Sequence, residues 1–192
     1  MIKLAYGVGI NDRSCPAWVE GKELKEYKIW QSLLARCYCP KVQERHPTYV
    51  GCTVSENFKN YSYFHEWCKN QMGFGEKGFE LDKDLIQKGN KTYSEDLCLF
   101  LPQELNCILT SCRAARGNLP LGVTSVKNRL RARCHRKPAR HFIGDFKTPE
   151  LAFVAYKQAK EAFIKVQAEK WKAHIDPRAF AALMAYEVEI TD

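Results

Sequence analysis

No stretch of this chain approaches the roughly 18 continuous apolar residues that a membrane-spanning helix needs, so a water-soluble protein with no membrane partner is expected. Nor does the segment Met1 to Asn11 hold the apolar run of a secretory leader. Without such a leader, the nine cysteines, an odd number, are expected to be reduced thiols in the cytoplasm rather than a disulfide framework. No C-x-x-C pair occurs. Cys37, Cys39, His46 and Cys52 lie close in sequence, but their C-x-C spacing is not that of a zinc finger, so buried structural thiols are expected there rather than zinc. The absence with the largest consequence is one of charge: from 113 to 140 there is not a single Asp or Glu.

That same stretch holds nine basic residues: Arg113, Arg116, Lys127, Arg129, Arg131, Arg133, Arg136, Lys137 and Arg140. The net charge of the whole chain is +8, so the rest is close to neutral. A cationic face beside a neutral body is what a binder of the phosphate backbone presents; the alternative is a solvated charge run. With 192 residues, 45% hydrophobic and 12% aromatic, the chain can bury one large core or two small ones, which excludes disorder.

The spacing of Leu24, Tyr27, Trp30, Leu33 and Leu34 predicts a helix from Glu23 to Cys37, ended by Pro40. A second helix is expected from Asn57 to Gln71, with Phe58, Tyr61, Phe64, His65 and Cys68 turned into the core. Phe79 to Asp84 alternates as a strand does, Gly89-Asn90-Lys91 supplies a turn, and Leu97 to Leu101 reads as a compact strand. Pro102 is placed to begin a short helix from Gln103 to Thr110. A strand, turn, strand, helix unit of this kind suits a metal site. Ser111 to Pro120 reads as a basic linker. Three strands follow, at Gly122 to Val126, Arg129 to His135 and His141 to Lys147. Thr148-Pro149-Glu150 then caps a long helix to Trp171, expected to bury Leu151, Ala155, Ala159, Ala162, Phe163 and Val166. Asp176-Pro177 opens a last helix.

In the second of those strands, two-residue periodicity sends Arg129, Arg131, Arg133 and His135 to one face and Leu130, Ala132 and Cys134 to the other. Arginine's planar fork matches phosphate oxygens and guanine edges, so duplex DNA is the expected partner. RNA fits less well, because Phe142 and Phe146 are the region's only candidates for base stacking. Gly122-Val123, the alternating strand, Ile143 to Glu150 and Ala152 to Ala159 together resemble the AP2-type DNA-binding domain found beside homing-endonuclease modules, over about residues 118 to 171. The resemblance implies a three-stranded sheet that reads DNA with a helix behind it. Leu130 departs from the family, which often has an aromatic there.

Residues 79 to 110, with Leu81-Asp82-Lys83-Asp84, Gly89-Asn90-Lys91, Glu95-Asp96-Leu97 and Asn106, resemble an HNH-type nuclease module of the kind bacteriophages encode. Tyr6 to Gly9 and Tyr27 to Tyr38 extend the likeness over most of the chain. The resemblance implies a divalent metal, Mg²⁺ or Mn²⁺, held by Asp82 and Asn106, with Lys83, Asp84 and Asn90 in the catalytic positions. Lys83 stands where the family has its water-activating histidine, and Asp96 where a central asparagine often sits. An ammonium flanked by two carboxylates is a poor base at neutral pH, because those neighbours favour its charged form. Lys83 could instead hold the scissile phosphate, with Asp84, Glu80 or a metal-bound hydroxide as base, or Asp82, Lys83 and Asp84 could be an ion-pair cluster on a fold that no longer cuts.

The expected architecture is α+β. N-terminal helices with an HNH-like ββα-metal module (core 79–110) occupy 1–112, a basic linker spans 113–121, and an AP2-like three-stranded antiparallel sheet on a long helix fills 122–192. Two functions follow: a metal-dependent phage-type DNA endonuclease, or a cleavage-inactive relative that occupies DNA or engages a host DNA-processing or defence protein.

Overall fold

The computed structural model describes residues 4–109, 119–136 and 139–190, which form a mixed α and β protein. The chain divides into two units, residues 1–102 with 174–179, and residues 103–173 with 180–192.

The first unit is built on aromatic helices. A small hairpin, β1 (Trp18–Val19) and β2 (Lys22–Glu23), precedes α1 (Lys25–Tyr38), which buries Glu26, Trp30, Leu33, Leu34 and Cys37. The helix stops at extended Cys39, and Pro40 starts α2 (Pro40–Arg45) instead of merely ending α1. A proline at the first helical position has a suitable φ and no N–H to leave unsatisfied. The next helix, α3 (Tyr61–Lys69), is shorter than its periodicity predicts, because residues 57–59 form a 3-10 turn and Asn60 caps the helix by accepting the Tyr63 N–H at 3.2 Å. Phe58, Tyr61, Phe64, His65 and Cys68 are all buried, as expected. Trp30 Nε1 donates to the Phe58 carbonyl at 2.8 Å, which ties α1 to that turn.

Short strands complete this unit. β3 (Thr53–Val54) pairs in parallel with β5 (Thr92–Tyr93), and β4 (Phe79–Asp82) pairs antiparallel with β6 (Leu99–Pro102). Pro102 is the last residue of β6, opposite Phe79, rather than the first of α4 (Gln103–Leu109). At a strand's end its missing N–H costs no ladder bond.

The second unit holds β7 (Val123–Val126), β8 (Arg129–Arg136) and β9 (Ala139–Phe146) as one antiparallel sheet in chain order, with α5 (Pro149–Trp171) across one face. Thr148 caps α5 by accepting the Leu151 N–H at 3.3 Å, with Pro149 in the first turn. The buried face of α5 differs from the expected one. Ala152, Phe153, Tyr156, Lys160, Ile164 and Ala168 are buried, whereas Leu151 and Val166 are exposed, a phase difference of about one residue. The sheet presents small side chains, Ala132 and Cys134, and these admit the Tyr156 ring and Ala152. The closing segment fastens onto α5: Lys157 Nζ donates to the Val188 carbonyl at 2.9 Å and the Val188 N–H donates to Glu161 Oε1 at 2.8 Å. The last helix is α6 (Pro177–Met184), as Asp176-Pro177 predicts.

Candidate nucleic-acid interface

The basic sheet face is set by the hairpin between β7 and β8. Lys127 (φ 47°) and Asn128 (φ 61°) form a two-residue turn between the paired Val126 and Arg129, with both central residues left-handed as a type I′ hairpin requires. Asparagine tolerates that conformation, and lysine does so at a cost. The tip therefore projects an exposed Lys127 on strained backbone.

From Arg129 to Cys134 the expected alternation holds; the side chain of His135 lies outside the described residues. Ala132 and Cys134 are fully buried against α5, and Leu130 packs at the same core. On the opposite face the Arg129 side chain is 74% exposed and that of Arg131 is 25% exposed. Arg133 is half-buried. The register with β9 runs Leu130↔Phe146, Arg131↔Asp145, Ala132↔Gly144, then shifts so that Arg133 faces Phe142. The shift is a β-bulge that leaves Ile143 as the extra residue and lets it pack inward beside Gly144.

This register brings an acid into the basic face. Arg131 donates from Nε to Asp145 Oδ1 at 2.7 Å and from Nη2 to Oδ2 at 3.0 Å, while Arg129 Nη1 lies 3.9 Å from Oδ2. The hydrogen bond from Arg131 holds the Asp145 carboxyl below the usual carboxylate range, and the charges of Arg131, Arg129 and Arg133 act in the same direction. The Arg131 guanidinium also lies over the Phe142 ring, 5.1 Å from its centroid, and that ring is 53% exposed. Asp145 and Phe142 are functional candidates that the strand pattern alone does not signal; finding them requires the cross-strand register. Of the other expected contacts, Arg113, Arg116 and Lys137 lie outside the described residues, as do the side chains of Arg136 and Arg140.

The residues named by nuclease resemblance form a different structure, at the end of β4. Asp82 Oδ1 accepts the N–H groups of Asp84 at 2.9 Å and Leu85 at 2.8 Å, which folds the turn after the strand. Burial raises the Asp82 pKa in spite of those two donors. Lys83 is buried, and its Nζ donates to Asp84 Oδ1 and to the Asn90 carbonyl, each at 2.6 Å. Asn90, also buried, donates from Nδ2 to the carbonyls of Lys83 (2.8 Å) and Thr92 (2.7 Å) and accepts the Thr92 N–H at 2.9 Å. The structure thus brings Asp82, Lys83, Asp84 and Asn90 together as a loop clamp. Asn106 stands on α4, in the second unit.

This donor set fits a divalent metal poorly. The Lys83 ammonium already pairs with the Asp84 carboxylate, Asp82 Oδ1 is committed to two backbone donors, and no group of three His, Cys, Asp or Glu side chains among the described residues could hold an ion. Of the thiols expected to be buried, Cys37 and Cys52 are and Cys39 is only partly so, and burial, followed by the neighbouring Cys52, pushes the Cys37 thiol up to about 12. Comparisons with protein families, with curated proteins and with solved structures give no match. Among the described residues, no helix is long and apolar enough to cross a membrane.

Proposed function

We propose that this protein binds double-stranded DNA through the outer face of β7, β8 and β9. The observation that carries the reading is the two-sidedness of β8: Ala132 and Cys134 are sealed against α5 while Arg129, Arg131 and Arg133 face outward, below a hairpin tip that projects Lys127. A sheet with a covered back and a basic front is how strand-based readers enter a groove. The arginines and lysine supply donors for phosphate oxygens, and release of condensed counterions supplies much of the affinity. The AP2-like sequence pattern, with its implied three strands and supporting helix, agrees with this use of the face.

The clamp at Lys83 favours binding without cleavage by this chain, since a buried ammonium held at 2.6 Å by a carboxylate and a carbonyl is a poor base and a poor phosphate ligand. A second reading, an HNH-like endonuclease using Mg²⁺ or Mn²⁺, rests on Asp82, whose carboxylate is fixed at the end of β4 by two backbone donors. Partnership with a host DNA-processing protein is compatible with the first reading.

Titration of a labelled duplex across a range of salt concentrations tests the binding. The logarithm of affinity is expected to fall linearly with the logarithm of salt, and salt-independent or absent binding overturns the proposal. Supercoiled plasmid with Mg²⁺ or Mn²⁺ separates the two readings: it stays supercoiled under the first, and it is nicked or cut by wild type but not by Asp82→Ala under the second.

A further inference from the structure

The three outward arginines of β8 are not equivalent. Arg129 is largely exposed, with Asp145 only at the edge of contact, so its cation is little compensated. Arg131 is clamped. Asp145 takes one N–H from Nε and one from Nη2, and Phe142 lies along the guanidinium, so the group is oriented on two sides before any ligand arrives. A guanidinium carries five N–H donors in one plane. Asp145 engages the side edge and leaves the end edge intact, with one N–H each on Nη1 and Nη2 directed away from the side chain. Those two parallel donors match the neighbouring acceptors O6 and N7 on the major-groove edge of guanine.

Charge separates a base contact from a phosphate contact here. Arg131 and Asp145 together are neutral, so the carboxylate beside the guanidinium offsets part of its attraction for a phosphate. Guanine's acceptors carry no net charge, so this penalty does not apply to them, and a guanidinium held in one orientation loses little further freedom on contact. We infer that Arg131, oriented by Asp145 and Phe142, is the guanine reader of this sheet, while Arg129 and Lys127 grip the phosphate backbone. Asp145 is then a positioning residue that confers specificity without adding to affinity for DNA in general. The inference rests on the DNA-binding reading and goes beyond it, because a sheet that gripped only phosphates would serve that reading equally well.

The test is selection from a duplex library randomised over one helical turn, using the full chain and four variants: Arg131→Ala, Arg131→Lys, Asp145→Asn and Arg129→Ala. Wild type is expected to enrich guanine at one position. Arg131→Lys is expected to lower that preference about tenfold or more while the salt slope stays within a few tenths of wild type, as loss of a bidentate base contact predicts; Asp145→Asn is expected to lower the preference as well and, with the carboxylate's charge gone, to raise the slope by up to about one. Arg129→Ala is expected to keep the preference and reduce the salt slope by about one. Arg131→Lys keeps the charge and loses only the fork, so it separates geometry from electrostatics even if Asp145→Asn loosens the sheet. An unchanged guanine preference in Arg131→Ala, or binding by wild type without any base preference, overturns the inference and leaves the binding reading in place. Failure of wild type to retain any duplex overturns both.

Discussion

Lys83 and Asn90 hold one another reciprocally: Lys83 Nζ donates to the backbone carbonyl of Asn90 at 2.6 Å, and Asn90 Nδ2 donates to the backbone carbonyl of Lys83 at 2.8 Å. Each side chain thus satisfies the main chain of the other and closes the loop from 83 to 90. Both residues are buried, so removing either partner leaves polar groups without water to replace it. Lys83→Met and Asn90→Ala are each expected to lower unfolding free energy by about 1 to 3 kcal/mol. Because they share one network, the double variant should lose less than the sum of the two. Urea unfolding of the full chain measures this. Wild-type stability in Lys83→Met would release the lysine from its structural role and revive a chemical one.

The hairpin tip offers a separation of stability from binding. Lys127 occupies φ 47°, a conformation that asparagine accepts more readily. Lys127→Asn is expected to raise stability by a few tenths of a kcal/mol, up to about 1 kcal/mol, as backbone strain is relieved. The same change removes a cation from the proposed DNA face, so affinity for duplex should fall and the salt slope should drop by about one. Thermal unfolding and anisotropy titrations on the same sample read the two opposite effects. A fall in both would place Lys127 in the hairpin's stability alone.

Lys160 gives a prediction with a definite sign in pH. It lies on the sheet-facing side of α5, and burial, opposed by the nearby Cys134, pushes its pKa below the ordinary lysine value. Between the lowered value and the ordinary one, the folded chain binds fewer protons than the unfolded chain, so this group makes stability rise as pH rises through that window. Below the window the folded protein carries a buried ammonium at a cost. Lys160→Met should therefore stabilise the protein at neutral pH by about 1 to 3 kcal/mol. The advantage should shrink toward pH 10. Melting temperatures of both proteins across pH 6 to 10 check the sign, and a variant less stable than wild type at pH 7 contradicts it.

How much of this was legible in the sequence varies by element. Helical spacing located α1 and α3, and Thr148-Pro149 located the start of α5, because caps and apolar stripes act within a few residues. The strands β7 to β9 followed from alternation and turn residues. The buried face of α5 was not legible, since the larger apolar residues Leu151 and Val166 point outward and the sheet selects Ala152 and Tyr156 by shape. Nor was the pairing of β3 with β5, two residues each and about forty apart in sequence, which no local pattern announces. Of the candidate site, the three arginines could be read from one strand. Their acidic partner could not, because the pairing of Arg131 with Asp145 depends on where β9 bulges. The Lys83 cluster was visible as charged residues in a row, but whether those charges meet solvent or one another depends on where Asn90 returns after its turn.

The approach of β7 to α5 depends on Gly122, and a second glycine provides its control. Gly122 sits at φ +76°, and a Cβ placed there would lie 2.1 Å from Cδ2 of Tyr156, a buried ring on α5. Gly21, at the tip of the β1–β2 hairpin, has nearly the same backbone conformation, φ +75°, but open space around it. Alanine at Gly21 meets only the left-handed backbone penalty of about 1 to 2 kcal/mol. At Gly122 it meets that penalty plus the displacement of an aromatic ring in a close-packed core, typically about 1 to 3 kcal/mol more. Gly122→Ala should therefore be the more destabilising of the two by that margin, and because the ring lies under the sheet that carries Arg129 and Arg131, it should also weaken duplex binding while Gly21→Ala leaves binding intact. Equal stability losses in the two variants would mean that Tyr156 can move aside freely, and the covered back of the sheet would then be softer than its burial implies.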